Sequence, residues 1–179
     1  MDLQATLTQT YVVVCIFSKL TWGDAQNYCE HHEGHLATFI NIQDAQAVID
    51  KIFEVSDKIT TEYLSGAETA EFGLDRRYWI GLTDLVSGEG NWVWAGVGKP
   101  LTYHALWYPG QPDHIDKQGK YIGRPEHCVA LWNPIFHKGD RKHSWVDQEC
   151  NKLYYFICEA DQQKLQTQEE WKNKNKNSS

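Results

Sequence analysis

The sequence is poor in methionine, proline and positive charge, and it has no long apolar segment. Its 179 residues include one Met and five Pro, and 17 Lys and Arg stand against 24 Asp and Glu, for a net charge of −7. Nucleic acids and anionic membranes bind clustered basic side chains, so this balance argues against both as main partners. No apolar run approaches the ~20 residues that a membrane helix needs. We therefore expect no nucleic-acid partner and no membrane partner.

Signals for export and for catalysis are also missing. The apolar run at residues 12–17 is too short for the core of a secretory leader, so we expect a mature chain without a targeting segment. The segment His31-His32-Glu33-Gly34-His35 lacks the His-Glu-x-x-His spacing of zinc proteases, and its glycine interrupts the helix that such a site needs. No Ser/His/Asp set or phosphate-binding glycine loop occurs at usable spacing. We therefore do not expect an enzyme.

Length and aromatic content fit one domain. Eight Trp, nine Tyr and six Phe supply a large apolar core, and a chain of this size can bury roughly 70% of its unfolded surface. Residues 1–10 are polar and predict a loose N-terminal lead-in. Residues 161–179 contain almost no apolar side chains, which predicts a disordered polar tail. The domain is therefore expected to span residues 11–160.

Hydrophobic patterning predicts two helices and several strands. Thr21 begins the first helix, with Asp24 at the spacing of a capping box, and Gly34 ends it. The second helix begins after Asn41, where apolar residues recur at helical spacing. Residues 54–77 are interpreted as a long polar connection. Strands are expected at residues 11–18, 78–82, 129–132, 144–146 and 154–158.

Five cysteines indicate an extracellular protein with disulfides and one thiol left over. Any four of them allow three pairings, and the residues alone do not choose among these pairings. Cys15 is the cysteine left over if the other four pair with one another, and it lies inside the apolar run at residues 12–17. A buried free thiol is its expected state, and an intermolecular disulfide is the alternative.

Four side chains that carry oxygen stand out in the second half of the chain. They are Gln111, Asp113, Glu126 and Asp147. Pro112 separates the first two, and a proline in that place can direct both at one ion, particularly when its peptide bond is cis. A disulfide between Cys128 and Cys150 would bring the other two into the same patch. Calcium binds six to eight oxygens at about 2.3–2.6 Å, so these residues predict a calcium site.

Eight short segments occur along the chain in an order that resembles the C-type lectin-like domain, from residue 11 to residue 159. The segments are Leu20-Thr21-Trp22 with Ala25 and Cys29, Gly34-His35-Leu36-Ala37, Trp79-Ile80-Gly81-Leu82, Trp92-Val93-Trp94, Trp107-Tyr108-Pro109-Gly110-Gln111-Pro112-Asp113, Glu126-His127-Cys128-Val129-Ala130-Leu131, Trp145-Val146-Asp147 and Phe156-Ile157-Cys158-Glu159. The chain is also similar to secreted invertebrate lectins of a single domain. This resemblance implies an α+β fold with two helices, two small and mostly antiparallel sheets, and a long binding loop.

The resemblance also implies specific pairs and ligands. It pairs Cys29 with Cys158 and Cys128 with Cys150. In lectins of this family, the positions matched here hold calcium and bind the sugar. Those positions are Gln111, Asp113, Glu126 and Asp147.

Sugar preference follows from the order of the amide and the carboxylate around Pro112. Gln first and Asp second resembles the motif of galactose-binding members, and the reverse order resembles that of mannose-binding members. An amide donates hydrogen bonds and a carboxylate only accepts them, so exchanging the two reverses the pattern offered to the sugar. Galactose binders usually carry an aromatic residue shortly after the motif, where this chain has His114 and Ile115. Tyr121 is the candidate that replaces that aromatic ring.

Two features depart from the family pattern. Val146 occupies the position of an Asn that binds both metal and sugar, and an unpaired polar partner costs on the order of 1–3 kcal/mol. In an accessory metal site of some relatives, Asp84 and Glu89 fit two positions, but His114 and His127 stand where acidic residues are needed. Because His is a poor ligand for a hard cation, we expect this accessory site to be absent or weak.

We therefore predict a secreted, calcium-dependent lectin that prefers galactose-type glycans and acts in extracellular or immune glycan recognition. The alternative is a protein-binding module of the same fold whose sugar site has decayed, which Val146 favours. A protein or a second lectin chain is the further partner to consider.

Overall fold

The computed structural model describes residues 3–6, 10–63, 75–113, 125–134 and 144–161. This part of the chain contains two helices, α1 (Trp22–His31) and α2 (Ile42–Tyr63), and neither has the length and hydrophobicity that a membrane span requires. It also contains nine strands. They are β1 (Leu3–Thr6), β2 (Thr10–Leu20), β3 (Gly34–Leu36), β4 (Asp75–Thr83), β5 (Val93–Trp94), β6 (Lys99–Pro100), β7 (Cys128–Pro134), β8 (Trp145–Gln148) and β9 (Tyr154–Asp161).

Hydrogen bonds join these strands into one branched, mostly antiparallel sheet. Its main path runs β1-β2-β9-β4-β5-β6, while β3 pairs with β9, and β7 pairs with both β4 and β8. The α+β class with two helices is confirmed. The strands form one connected sheet where two small sheets are expected, because β4 pairs with β7 and also, in parallel, with β9.

The first helix begins as the sequence predicts and ends earlier. Thr21 Oγ1 accepts a hydrogen bond from the Asp24 amide at 3.2 Å and donates one to Asp24 Oδ2 at 2.7 Å. The helix ends at His31, and Gly34, predicted to end it, is instead the first residue of β3. A Cβ atom at Gly34 would overlap the carbonyl oxygen of Glu159, so glycine is required there for β3 to approach β9.

The second helix is longer than predicted. The Asp44 amide donates to Asn41 Oδ1 at 2.9 Å, which caps the helix where the sequence places its start. The helix continues to residue 63, so the prediction of a polar connection from residue 54 was wrong for residues 54–63. Residues 64–74 lie outside the described part. Among the side chains of this helix that the structure describes, those buried in the core are Ala45, Val48, Ile49 and Ile52.

The first and last strands of the described part, β1 and β9, lie close to the predicted domain boundaries. A loose lead-in is expected over residues 1–10, but Leu3–Thr6 form β1, which pairs antiparallel with the edge of β2 that β9 leaves open. At the other end, β9 includes Asp161, and residues 162–179 of the predicted tail lie outside the described residues. Cys15 lies in β2, and because its side chain is not among those described, the state of its thiol stays a prediction.

Two buried clusters form the core. The larger contains Phe39, Trp94 and Trp145. The Trp94 ring packs edge to face with the ring of Phe39, at a centroid distance of 5.6 Å, and with that of Trp145, at 5.8 Å. The smaller contains both cysteines of one disulfide, Cys29 and Cys158, and one cysteine of the other, Cys128. The disulfides are Cys29–Cys158, which ties α1 to β9, and Cys128–Cys150, and this is the pairing that the resemblance implies.

Candidate metal centre

Three carboxylates converge at one end of the β7–β8 pair. One oxygen from each of Asp113, Glu126 and Asp147 lies within 4.8 Å of the other two. Asp147 is fully buried, Glu126 is half-buried and Asp113 is exposed. Within the described ranges, no other set of three or more His, Cys, Asp or Glu side chains is close enough to hold a metal ion. Residues separated by up to 34 positions along the chain therefore meet at one point.

Strand pairing and a disulfide hold two of these carboxylates. Asp147 lies in β8 opposite Val129 of β7. The Cys128–Cys150 disulfide links the segments that flank the same end of the pair. Glu126 lies two residues before the first of these cysteines. Its backbone is therefore confined close to the end of β7.

The loop that carries Gln111 and Asp113 is anchored on β8. The Tyr108 amide donates to the carbonyl of Trp145 at 2.8 Å. The Asp147 amide donates to Gln111 Oε1 at 3.3 Å, and the Asp113 amide donates to Asp147 Oδ1 at 3.4 Å. The Gln111–Pro112 peptide bond is cis. The four side chains that the sequence singles out are therefore brought together.

Val146, the neighbour of Asp147 in β8, is part of the core. Its side chain is 4% exposed and packs in the smaller core cluster, with Cys128 and Ala130 among its members. Successive residues of a strand point to opposite faces, so the face that presents Asp147 to the carboxylates turns Val146 towards the core. It supplies packing to the segment that carries Asp147.

Glu126 has an unusual titration. Burial is the largest cause, and together with the charges of Asp147 and Asp113 and a hydrogen bond that protonated Glu126 donates to Asp113 it raises the pKa of Glu126 from 4.5 to about 7. The charge of Glu149 also contributes, and this residue was not singled out from the sequence. Its position between Asp147 and Cys150 is the signal that could have identified it. The cluster accumulates negative charge that a cation would neutralise.

The donor set fits a hard dication. Carboxylate oxygens and an amide oxygen are the ligands that calcium prefers, and the cluster of three contains neither sulfur nor imidazole. Asp113, Glu126 and Asp147 could each supply one or two oxygens, and Gln111 Oε1 faces the same segment of β8.

We predict that calcium-free protein becomes less stable as the pH rises from about 5 to about 7.5. The pKa of Glu126 is higher in the folded than in the unfolded chain, so its protonated form favours folding. That contribution is complete below about pH 4.5 and is lost as the pH rises through about 7. Melting curves in a chelating buffer measure the trend. Glu126→Gln, which cannot ionise, should flatten it, and an unchanged slope in that variant would contradict the assignment.

The predicted accessory site shows a different arrangement. Asp84 is 1% exposed, and its Oδ1 lies 2.9 Å from His127 Nδ1. Its Oδ2 accepts a hydrogen bond from the Gly90 amide at 2.8 Å. From the sequence, His127 is expected only to be a poor metal ligand, and its pairing with Asp84 was not predicted. His114, Ile115 and Tyr121, which bear on the accessory site and on sugar stacking, lie outside the described residues.

Comparison with known proteins identifies the family. A sequence model described as the lectin C-type domain matches residues 18–160. C-type lectin domain family 10 member A from Homo sapiens is 32% identical over 143 residues, which are 80% of this chain and 34% of that protein. Perlucin from Haliotis laevigata is 30% identical over 143 residues, which are 80% of this chain and 72% of perlucin.

A solved structure shows the same fold. Human lithostathine superimposes with a TM-score of 0.62 at 21% identity, covering 88% of this chain and 96% of that one. At 21% identity, this similarity is evidence of a shared fold and of nothing more. The family match and the perlucin match confirm the resemblance seen in the sequence. The chain therefore belongs to the C-type lectin domain family, whose members are carbohydrate-binding proteins and not enzymes.

Proposed function

We propose that this domain, residues 11–160, binds calcium through four side chains and uses the bound ion to hold galactose-type glycans. The proposed ligands are Gln111, Asp113, Glu126 and Asp147. The observation that carries the proposal is the approach of three carboxylate oxygens to within 4.8 Å of one another. Carboxylates packed this closely repel one another unless a proton or a cation lies among them.

The bound ion would supply open coordination positions for two neighbouring sugar hydroxyls. The protein's own part is to orient those hydroxyls. Gln111 can donate from its amide nitrogen while its oxygen accepts, and Asp113 and Glu126 can only accept while they are ionised. Tyr121 is the proposed ring that packs against the apolar face of the sugar.

An extracellular location fits this function. Two disulfides tie the domain together, and such bonds persist in oxidising compartments. Recognition of foreign or self glycans outside the cell is the role we propose.

A protein-binding role is the second candidate. Val146 faces the core and offers no side-chain oxygen to the carboxylate cluster, so a ligand that the family pattern includes is missing. A domain that holds calcium weakly, or not at all, would keep the fold and could recognise a protein or a second lectin chain through its surface.

Calorimetry separates these two functions. Calcium is titrated into the chelator-treated protein, and galactose is then titrated with and without calcium. The proposed lectin should bind galactose only when calcium is present. Calcium binding without any sugar response, or no response to either, favours the protein-binding module.

We predict that exchanging the two loop donors changes the sugar preference. Gln111→Glu with Asp113→Asn keeps the number of oxygens and the total charge, but it reverses which side donates. The double variant should bind calcium and shift from galactose towards mannose. Wild-type affinity near the millimolar range, about −4 kcal/mol, is expected because one sugar contact is missing.

A glycan array measures this preference, with Gln46→Glu plus Asp50→Asn as the control, because that double variant makes the same charge-conserving exchange at a hydrogen-bonded pair on α2. A wild type that prefers mannose, or a double variant that keeps a clear galactose preference, would show that this loop does not set specificity.

A further inference from the structure

His127 is held by hydrogen bonds at both its backbone and its side chain. Its carbonyl oxygen accepts from Thr83 Oγ1 at 2.6 Å and from the Asp84 amide at 3.2 Å. Its Nδ1 lies 2.9 Å from Asp84 Oδ1. An ionised carboxylate only accepts hydrogen bonds, so Nδ1 carries the hydrogen and donates it. Three bonds therefore fasten one residue of the segment before β7 to the end of β4.

Asp84 extends this attachment to the next loop. Its Oδ2 accepts from the Gly90 amide at 2.8 Å, and its carbonyl oxygen accepts from the Gly88 amide at 3.1 Å. The carboxylate is almost completely buried. A buried carboxylate is stable only when its oxygens are paired, so the imidazole and the Gly90 amide support each other through it.

The position of His127 gives this network a consequence for the metal centre. It lies between Glu126 and the disulfide-bonded Cys128. Adjacent Cα atoms are 3.8 Å apart, so a fixed His127 leaves the Glu126 backbone little freedom. Without this attachment, repulsion from Asp113 and Asp147 would favour a Glu126 that swings away from the cluster.

We propose that His127 is a positioning residue that holds Glu126 at the metal centre in the calcium-free domain, by donating to the buried Asp84 carboxylate. The proposal rests on the proposed function in one respect, that Glu126 is a calcium ligand. The imidazole links Asp84, at the end of β4, to the segment before β7. The centre is thereby shaped before any ion arrives.

A pair of variants separates this donor role from simple packing. In His127→Asn, the amide nitrogen occupies nearly the place of Nδ1 and can donate to Asp84, whereas His127→Leu keeps the bulk and removes the donor. Thr83→Val is a second isosteric change, which removes one bond to the His127 carbonyl. His104→Leu is the control, because it makes the same change at an exposed histidine.

The measurement is amide hydrogen exchange by NMR in a chelating buffer, followed by calcium titration calorimetry. In His127→Leu, the Gly90 and Asp84 amides should exchange about tenfold faster or more, as expected when a hydrogen bond to a buried charge is lost. The Gly81 amide, which donates to Ala37 within the sheet region, should be unchanged. Calcium affinity should fall about tenfold in the same variant. His127→Asn should restore the wild-type exchange rates and the wild-type calcium affinity. Thr83→Val should also speed exchange and weaken calcium binding, but by less than His127→Leu.

Unchanged Gly90 exchange in His127→Leu would overturn the proposal, and so would faster exchange with full calcium affinity. The proposal would also be overturned if His127→Asn showed the same fast exchange and weak calcium binding as His127→Leu. Loss of packing, and not loss of the donor, would then explain the effect. A wild type that binds no calcium refutes the proposed function instead. In that case the exchange rates alone decide whether His127 holds this segment.

Discussion

Replacing both Cys29 and Cys158 by alanine is expected to lower the free energy of unfolding by about 5 kcal/mol, from the entropy of closing a loop of this length. The disulfide spans 129 residues and joins α1 to β9 inside the smaller core cluster. Without this cross-link, the chain between the two cysteines, which is nearly the whole domain, gains conformational entropy in the unfolded state. Urea denaturation monitored by tryptophan fluorescence measures the change.

Removal of Cys128–Cys150 is the matched control for that variant. This disulfide spans 22 residues, so its loss should cost about 3 kcal/mol. It flanks Glu126 and Asp147, so calcium affinity should fall in this variant, whereas the variant lacking Cys29–Cys158 should keep its affinity while folded. The reverse ranking of stabilities, or equal loss of calcium affinity in both, would contradict these separate roles.

Calcium at 100 times its dissociation constant is expected to stabilise the wild type by about 2.7 kcal/mol. For a chain of this length, that corresponds to a rise in melting temperature of about 5–10 °C. Asp147→Asn should remove most of this rise, because Asp147 is the fully buried carboxylate of the cluster. Glu126→Ala should remove it as well.

Asp50→Asn is the control for this experiment, because it makes the same substitution at an exposed position on α2. That variant should respond to calcium as the wild type does. A wild-type melting temperature that ignores both calcium and chelator would refute calcium binding at this centre.

Local signals in the sequence were sufficient for much of the fold. Thr21 with Asp24, and Asn41 with its apolar periodicity, mark helix starts, because a cap and the next turn interact over three or four residues. The order of family motifs was sufficient for the disulfide pairing. The end of α2 was not predictable in this way, because polar residues with good helix propensity continue a helix as readily as they form a connection.

The metal centre shows most clearly which features follow from the sequence and which follow only from the tertiary structure. The sequence by itself determined which oxygen donors exist, since Gln111, Asp113, Glu126 and Asp147 are recognisable by type and motif. Only the tertiary structure decided that three carboxylates meet within 4.8 Å, that Val146 turns towards the core, and that His127 Nδ1 lies 2.9 Å from Asp84 Oδ1. These outcomes depend on strand register and on contacts between residues distant along the chain. Spacing along the chain carries no information about such contacts until the strands are paired.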